Sequence, residues 1–261
     1  MSRLYKYPRT HHLAGSRLGP GDEELAQIPL VSLEGRAVVI EEKLDGANCA
    51  FSFDDHGSLQ LQSRGHFLSG GHRERQFELF KAWANCHAVR FFDTFGSRYV
   101  VYGEWTYGKH TIFYDSLPHY FHEFDVLDTQ RMDFLDTPRR AELMRGLPIV
   151  SVPVLHCGDG KCLVRPQEWV RPSVYKSSKW REVLEDHARE HGLSLERVQR
   201  ESDSSDLSEG LYVKVEAEGV VRERYKWVRF DFLQTGADSG SHWQERPLLP
   251  NLLAPGVDLF S

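Results

Sequence analysis

A short β-branched run, Val38-Val39-Ile40, leads through Glu41 and Glu42 to Lys43 at the end of a strand. Asp45-Gly46 then turns the chain into a second run, Cys49-Ala50-Phe51-Ser52-Phe53. A lysine held this way is a candidate nucleophile: burial and neighbouring cations lower its pKa, and the free amine can attack an electrophile such as an α-phosphate. Asp45 can orient the amine or a metal, and Gly46 lets the backbone pass close to a bound group. The pattern Lys-x-Asp-Gly alone is weak, because a solvated lysine beside a hairpin turn is spelled the same way.

Further chemistry-bearing residues follow in order. The hairpin closed by Asp54-Asp55-His56-Gly57 returns as Leu59 to Arg64, which brings Arg64-Gly65 back beside Lys43 with a planar fork for phosphate or ribose oxygens. Tyr99 to Val101 continue into Tyr102-Gly103-Glu104-Trp105, a buried strand that puts the Glu104 carboxylate at the rim of a sheet, where it needs a hydroxyl, a cation or a metal. Lys109-His110 can supply that partner from within the chain. On the aromatic strand Tyr120 to Leu127, Phe124 can stack on a base or simply fill a core. Finally, Glu209-Gly210-Leu211-Tyr212-Val213-Lys214 and Val220 to Arg229 form a hairpin carrying Glu209, Lys214, Arg222, Arg224 and Lys226. So many cations on one ribbon repel unless an anion sits among them, a polyphosphate or the hairpin's own glutamates.

The elements that position these residues are read from periodicity and breakers. Residues 1–24, rich in turn formers, read as an ordered arm laid over the domain, with His11 and His12 as surface histidines. Ile28 to Leu33 reads as a strand. Arg73 to Val89 reads as a helix whose stripe of Phe77, Phe80, Trp83 and Ala84 is core. Asp136-Thr137-Pro138 starts a helix, Ile149 to Val154 is a strand with Pro153 at an edge, and Gln167 to Gly192 turns helical with Lys176, Lys179 and Arg181 interleaved. Residues 200–208 read as a flexible loop and 233–261 as a tail packed on the domain.

Composition bounds the class. With 261 residues and 40% hydrophobic content the chain can bury a sizeable core, and neither a membrane span nor a secretory signal is visible, so a cytoplasmic location is expected. Four scattered cysteines suit reduced thiols better than a disulfide framework, and Cys157 with Cys162 lacks the second pair a zinc site needs. A formal charge of −6 excludes a surface that binds polyanions everywhere, so any nucleic-acid contact must use local basic patches.

The ordered set Lys43-Leu44-Asp45-Gly46, Arg64-Gly65, Gly103-Glu104, Phe124-Asp125, Glu209 to Lys214 and the basic strand around Lys226 resembles the covalent nucleotidyltransferase superfamily of DNA ligases, RNA ligases and capping enzymes. The short step from Glu104 to Phe124 and the wording of Tyr102-Gly103-Glu104-Trp105 and Glu123-Phe124-Asp125-Val126 resemble its RNA ligase 2 branch. The resemblance covers about residues 25–232, and its implied fold is α/β (α+β): two antiparallel β-sheets flanked by helices, an ATP-grasp-like nucleotidyltransferase domain without an OB domain.

The resemblance further implies that Lys43 attacks the α-phosphate of ATP to give a lysyl-AMP, that the AMP passes to a 5′-phosphate RNA end, and that a 3′-hydroxyl displaces it. Arg64 and Glu104 would hold the ribose and Phe124 would stack on adenine. Glu209 would hold Mg²⁺, with Mn²⁺ able to substitute, and Lys214 and Lys226 would bind the α-phosphate. In Arg224-Tyr225-Lys226 the paired cations are spelled differently from the family, with Lys226 the first choice and Arg224 the second. The expected activity is ATP-dependent RNA ligation in repair or processing, with a partner protein or the arm helping to engage RNA. A ligase for DNA or mixed nicks, and a catalytically silent subunit that binds RNA ends, are the competing expectations.

Overall fold

The computed structural model describes residues 3–19, 22, 26–232 and 247–261. Among the described residues, eleven strands carry the architecture. They are β1 (His11–His12), β2 (Ala37–Lys43), β3 (Ala47–Phe53), β4 (Leu59–Ser63), β5 (Tyr99–Trp105), β6 (Phe121–Asp128), β7 (Asp133–Leu135), β8 (Val150–Ser151), β9 (Val154–Asp159), β10 (Gly210–Ala217) and β11 (Val220–Val228). Their order, β4-β3-β5-β6-β7-β11-β10-β2-β9, is antiparallel throughout, while β1 adds to β11 and β8 to β6 in parallel. Two leaves result, β4-β3-β5-β6 and β11-β10-β2-β9. The three-residue β7 joins them, pairing Phe134 with both Leu127 and Val221.

Among the described residues, five α-helices flank the leaves: α1 (Glu78–Cys86), α2 (Ala88–Phe95), α3 (Thr137–Met144), α4 (Trp180–Glu190) and α5 (Leu195–Arg200). No described helix is long and apolar enough to cross a membrane. α1 and α2 cover the first leaf, where Phe51, Phe80, Trp83, Phe91 and Phe121 are fully buried together. The second leaf has its own core of Val38, Ile40, Leu211, Val213 and Trp227. The period-2 alternation of β2, β10 and β11 sends these residues to one face and Glu41, Lys43, Tyr212 and Lys214 to the other.

Several local expectations change. Ile28 to Leu33 is a short 3₁₀ turn over Leu30–Leu33 rather than a strand, because Pro29 has no N–H to donate to a ladder. The single helix expected over Arg73 to Val89 is a 3₁₀ turn (His72–Phe77) followed by α1 and α2, which part at His87, where the backbone is no longer helical. Pro153 divides the strand expected at Ile149 to Val154 into β8 on the first leaf and β9 on the second. The pattern from Gln167 to Gly192 is helical only at Pro166–Trp169 and in α4.

Residues 200–208 are packed: Ser202, Asp203 and Ser208 are buried, and Asp203 pairs with Arg229. His12, expected at the surface, is buried and bonded to Ser16 and Asp22. Of the tail, residues 233–246 lie outside the described residues. Asn251 beyond them is fully buried, its side chain accepting from the Tyr114 amide and donating to the Thr106 carbonyl.

Candidate active site

Lys43 ends β2 opposite Gly210, so the first residue of the Glu209–Lys214 stretch lands beside it. Gly210 is required there by crowding: a Cβ would lie 2.0 Å from the Trp227 carbonyl oxygen. The Lys43 ammonium donates to a Glu209 carboxylate oxygen at 2.7 Å. Around this pair opens a cleft of about 1050 Å³ between the leaves, lined among others by Arg64, Glu104, Phe124, Tyr212 and Lys226. Phe124 is half-buried there, with Tyr7 of the arm against it edge-on at 5.1 Å. Glu104 accepts from the Gly46 amide at 3.1 Å.

The close approach that needs Gly46 is to the protein itself, since a Cβ there would lie 2.7 Å from the Trp105 carbonyl oxygen. Asp45 is likewise committed to the protein, one carboxylate oxygen accepting from the amides of Thr111 and Ile112 at 2.7 Å each. It therefore acts on Lys43 only through its charge. Lys109, considered as a partner for Glu104, reaches the Glu201 carbonyl instead.

The electrostatics correct one expectation outright. Burial alone pushes the Lys43 amine toward its neutral form, yet the charges of Glu209, Glu104 and Asp45 outweigh it and hold its pKa above the ordinary lysine value. The neighbours that decide the charge are carboxylates rather than cations, so in this state the Lys43 amine is held in its protonated form. Burial also raises Glu209 despite the nearby Lys43, and pushes Glu104 up to about 8 with repulsion from Glu209 and Asp45 adding to it. Lys226 is lowered by burial, with Asp22 opposing.

The cation ribbon of β10 and β11 is already neutralised by protein carboxylates. Lys226 bonds Asp22 at 2.7 Å, Arg222 bonds Glu218, and Arg224 lies 3.6 Å from Asp125. Lys214, fully buried, contacts Glu41 at 2.8 Å and Asp125 at 3.2 Å. Thus Lys43, Arg64, Glu104, Phe124 and Lys226 line the cleft with Glu209 touching Lys43, whereas Lys214 and Arg224 lie against the carboxylates beneath the cleft wall. Sequence reasoning passed over Tyr7, Glu41, Tyr212 and Arg140. Glu41 could have been found as the residue two before Lys43 on the same face, and Tyr212 from its place in the hairpin. Arg140 gave no signal beyond an ordinary helix position.

The chain matches the RNA ligase family over residues 36–228. It belongs to that family. No curated protein matches this RNA ligase family member in sequence. Among solved structures it is similar to a mutant of Naegleria gruberi RNA ligase with ATP and Mn (16% identity, TM-score 0.47, covering 80% of this chain and 54% of that one). It is also similar to an archaeal ATP-dependent RNA ligase (15%, 0.49, 87% and 49%) and to a candidate ATP-dependent DNA ligase of Aquifex aeolicus (17%, 0.46, 86% and 50%). The chain spans about half the length of these structures.

The donor set around Glu209 bears on whether a divalent cation could be held there. Among the described residues no group of three or more His, Cys, Asp or Glu side chains is placed to hold a metal ion, so Glu209 stands as one carboxylate next to the amine. That arrangement fits a hard cation held mostly by water and substrate phosphate oxygens, as Mg²⁺ prefers, and does not fit an all-protein cage.

Proposed function

We propose that this chain is an ATP-dependent RNA ligase of the RNA ligase 2 branch, joining 5′-phosphate and 3′-hydroxyl RNA ends in the repair or processing of broken RNA. The observation that carries the reading is Lys43 at the cleft, 2.7 Å from Glu209, inside a segment that matches the RNA ligase family. Lys43 passes a proton to solvent, and its amine attacks the α-phosphorus of ATP and loses a second proton to solvent as the N–P bond forms; the bond to the β-phosphate oxygen breaks, pyrophosphate leaves, and a lysyl-AMP remains. The 5′-phosphate of an RNA end then displaces lysine to form an adenylated end. Attack by the 3′-hydroxyl releases AMP and leaves the phosphodiester.

The chain's residues have defined tasks in this scheme. Phe124 stacks on adenine, while Arg64 and Glu104 hold the ribose. Lys226 turns from Asp22 to the α-phosphate and stabilises its developing charge, with Arg224 as the second cation of the motif. Glu209 would hold Mg²⁺, or Mn²⁺ in its place, through water, and the ion supplies positive charge that offsets the phosphate oxygens and disfavours the protonated amine. The arm, residues 1–24, belongs with an adenylyltransferase domain of residues 25–232, its described residues such as Tyr7 and His12 lying against that domain, and, alone or with a partner protein, it engages RNA in the cytoplasm.

Intact mass after incubation with Mg²⁺ and either ATP or GTP tests this reading. A gain of one AMP from ATP only, absent in Lys43→Ala, is the expected result. No gain with either nucleotide, in protein not already adenylated, would leave an RNA-end-binding subunit. Adenylated enzyme that seals DNA or mixed nicks but not RNA would move the substrate.

A further inference from the structure

Six charged side chains are packed together beside the cleft, whose lining includes Glu41. Glu41 of β2, Glu123 and Asp125 of β6, Arg140 of α3 and Lys214 of β10 are at most 2% exposed, and Arg224 of β11 adjoins them. Three carboxylates face three cations, so the group is neutral. Its connectivity crosses the molecule. Arg140 lies 2.6 Å from Glu41 on the second leaf and 3.2 Å from Glu123 on the first. Lys214 lies 2.8 Å from Glu41 on one side, and on the other lies 3.2 Å from Asp125 and donates to the Phe124 carbonyl.

In the sheet, β2 and β6 are separated by β7, β11 and β10, and among the described residues the leaves are joined along that path through the short β7. The Lys214 ammonium donates to the Phe124 carbonyl, is fully buried between Glu41 and Asp125, and is not among the residues that line the cleft. Burial disfavours ionised Asp125, yet Lys214, Arg224 and Arg140 outweigh it and keep its carboxyl below the ordinary value.

We infer that Arg140 and Lys214 form a buried clamp across the cleft floor that sets the distance between the Lys43 strand and the Phe124 strand, and that both are positioning residues for adenylate transfer rather than phosphate ligands. Glu41 is two residues from Lys43 on the same face, and the Phe124 carbonyl belongs to the residue whose ring lines the cleft. Shifting either attachment displaces the amine relative to the base platform, and such misplacement by about 1 Å costs about a hundredfold in rate. A buried ionic group has little net stability to offer in exchange for its desolvation, so its use here is geometric.

The catalytic part rests on the lysyl-AMP reading, whereas the clamp itself can be tested without it. Hydrogen exchange of wild type, Lys214→Met and Arg140→Met reads the clamp: Lys214→Met should speed exchange in β6, and Arg140→Met in both β2 and β6. Changes confined to β10 or α3 overturn it. Affinities for ATP and for adenosine, measured without metal, read the positioning role. Both should fall by the same factor in Lys214→Met, and Lys214→Arg should recover them; loss of ATP affinity with adenosine unchanged makes Lys214 a phosphate ligand and overturns the inference. Single-turnover adenylylation should drop about a hundredfold in either Met variant. If a Met variant does not fold, Arg140→Lys carries the same comparisons, since it keeps the charge but loses the fork that spans Glu41 and Glu123. If wild type binds neither nucleotide nor nucleoside, the ligase reading falls and hydrogen exchange alone decides the clamp.

Discussion

The apolar layer beneath α1 and α2 and the charged floor of the cleft lie in one sheet and are equally dry, yet they are held by opposite means. In the first, Phe51 stacks on Phe91 at 4.8 Å, Phe80 on Phe121 at 5.6 Å and Trp83 on Phe121 at 5.1 Å. Burying each large ring stabilises by roughly 1.5–3 kcal/mol, and many shapes of similar volume would serve. On the floor, Glu41, Glu123, Asp125, Arg140 and Lys214 all carry desolvation costs, so position is what they contribute. Removing one ring leaves a cavity; removing one charge leaves its partner unpaired. The first region makes the domain stable, and the second places its chemistry.

The largest effects test that division. Trp83→Ala should destabilise by about 3–5 kcal/mol in urea unfolding, while adenylylation of the folded fraction stays near the wild-type rate. A rate that collapses with stability would dissolve the distinction. Glu41→Gln should cost about 3 kcal/mol, because Arg140 and Lys214 lose a shared anion. In a double-mutant cycle with Arg140→Met the coupling should exceed about 1 kcal/mol, and simple additivity would mean that the floor is not a network.

Acid should act on the aromatic side through two imidazoles. Burial lowers the pKa of His119 to about 4 and of His122 to about 3, from the ordinary 6.5. The unfolded chain binds protons that the folded chain refuses, so this contribution is complete above pH 6.5 and is lost as pH falls toward those folded values. His122→Phe, which keeps a ring against Tyr175, should flatten the decline measured by urea titrations across that window. The smallest effect belongs to an outer pair on the second leaf: Arg36→Ala, which breaks the Arg36–Glu223 bridge at 2.6 Å, should change stability by about 0.2–1 kcal/mol and leave nucleotide binding untouched. A larger loss would show that exposed charges on this leaf matter as much as buried ones.

Much of the site was legible before any coordinates. Period-2 alternation put Lys43 and the Glu209–Lys214 hairpin on definite faces, and the observed register sets Lys43 against Gly210. The family match runs through the same segments. Breakers were harder to weigh. Pro153 was legible as an edge residue, whereas its role in passing the chain from one leaf to the other depends on which strands wait on each side. Arg140 read as an ordinary residue of a polar helix, because nothing local records that α3 points it at three carboxylates.

The sequence by itself determined which residues alternate, which strands exist around Lys43, and the family, since these follow from side-chain periodicity and residue type along the chain. Only the tertiary structure decided the charge of Lys43 and the partners of Lys214, Arg224 and Lys226. Those depend on distances between residues up to 204 positions apart, and Coulombic and desolvation energies act through space, not along the chain.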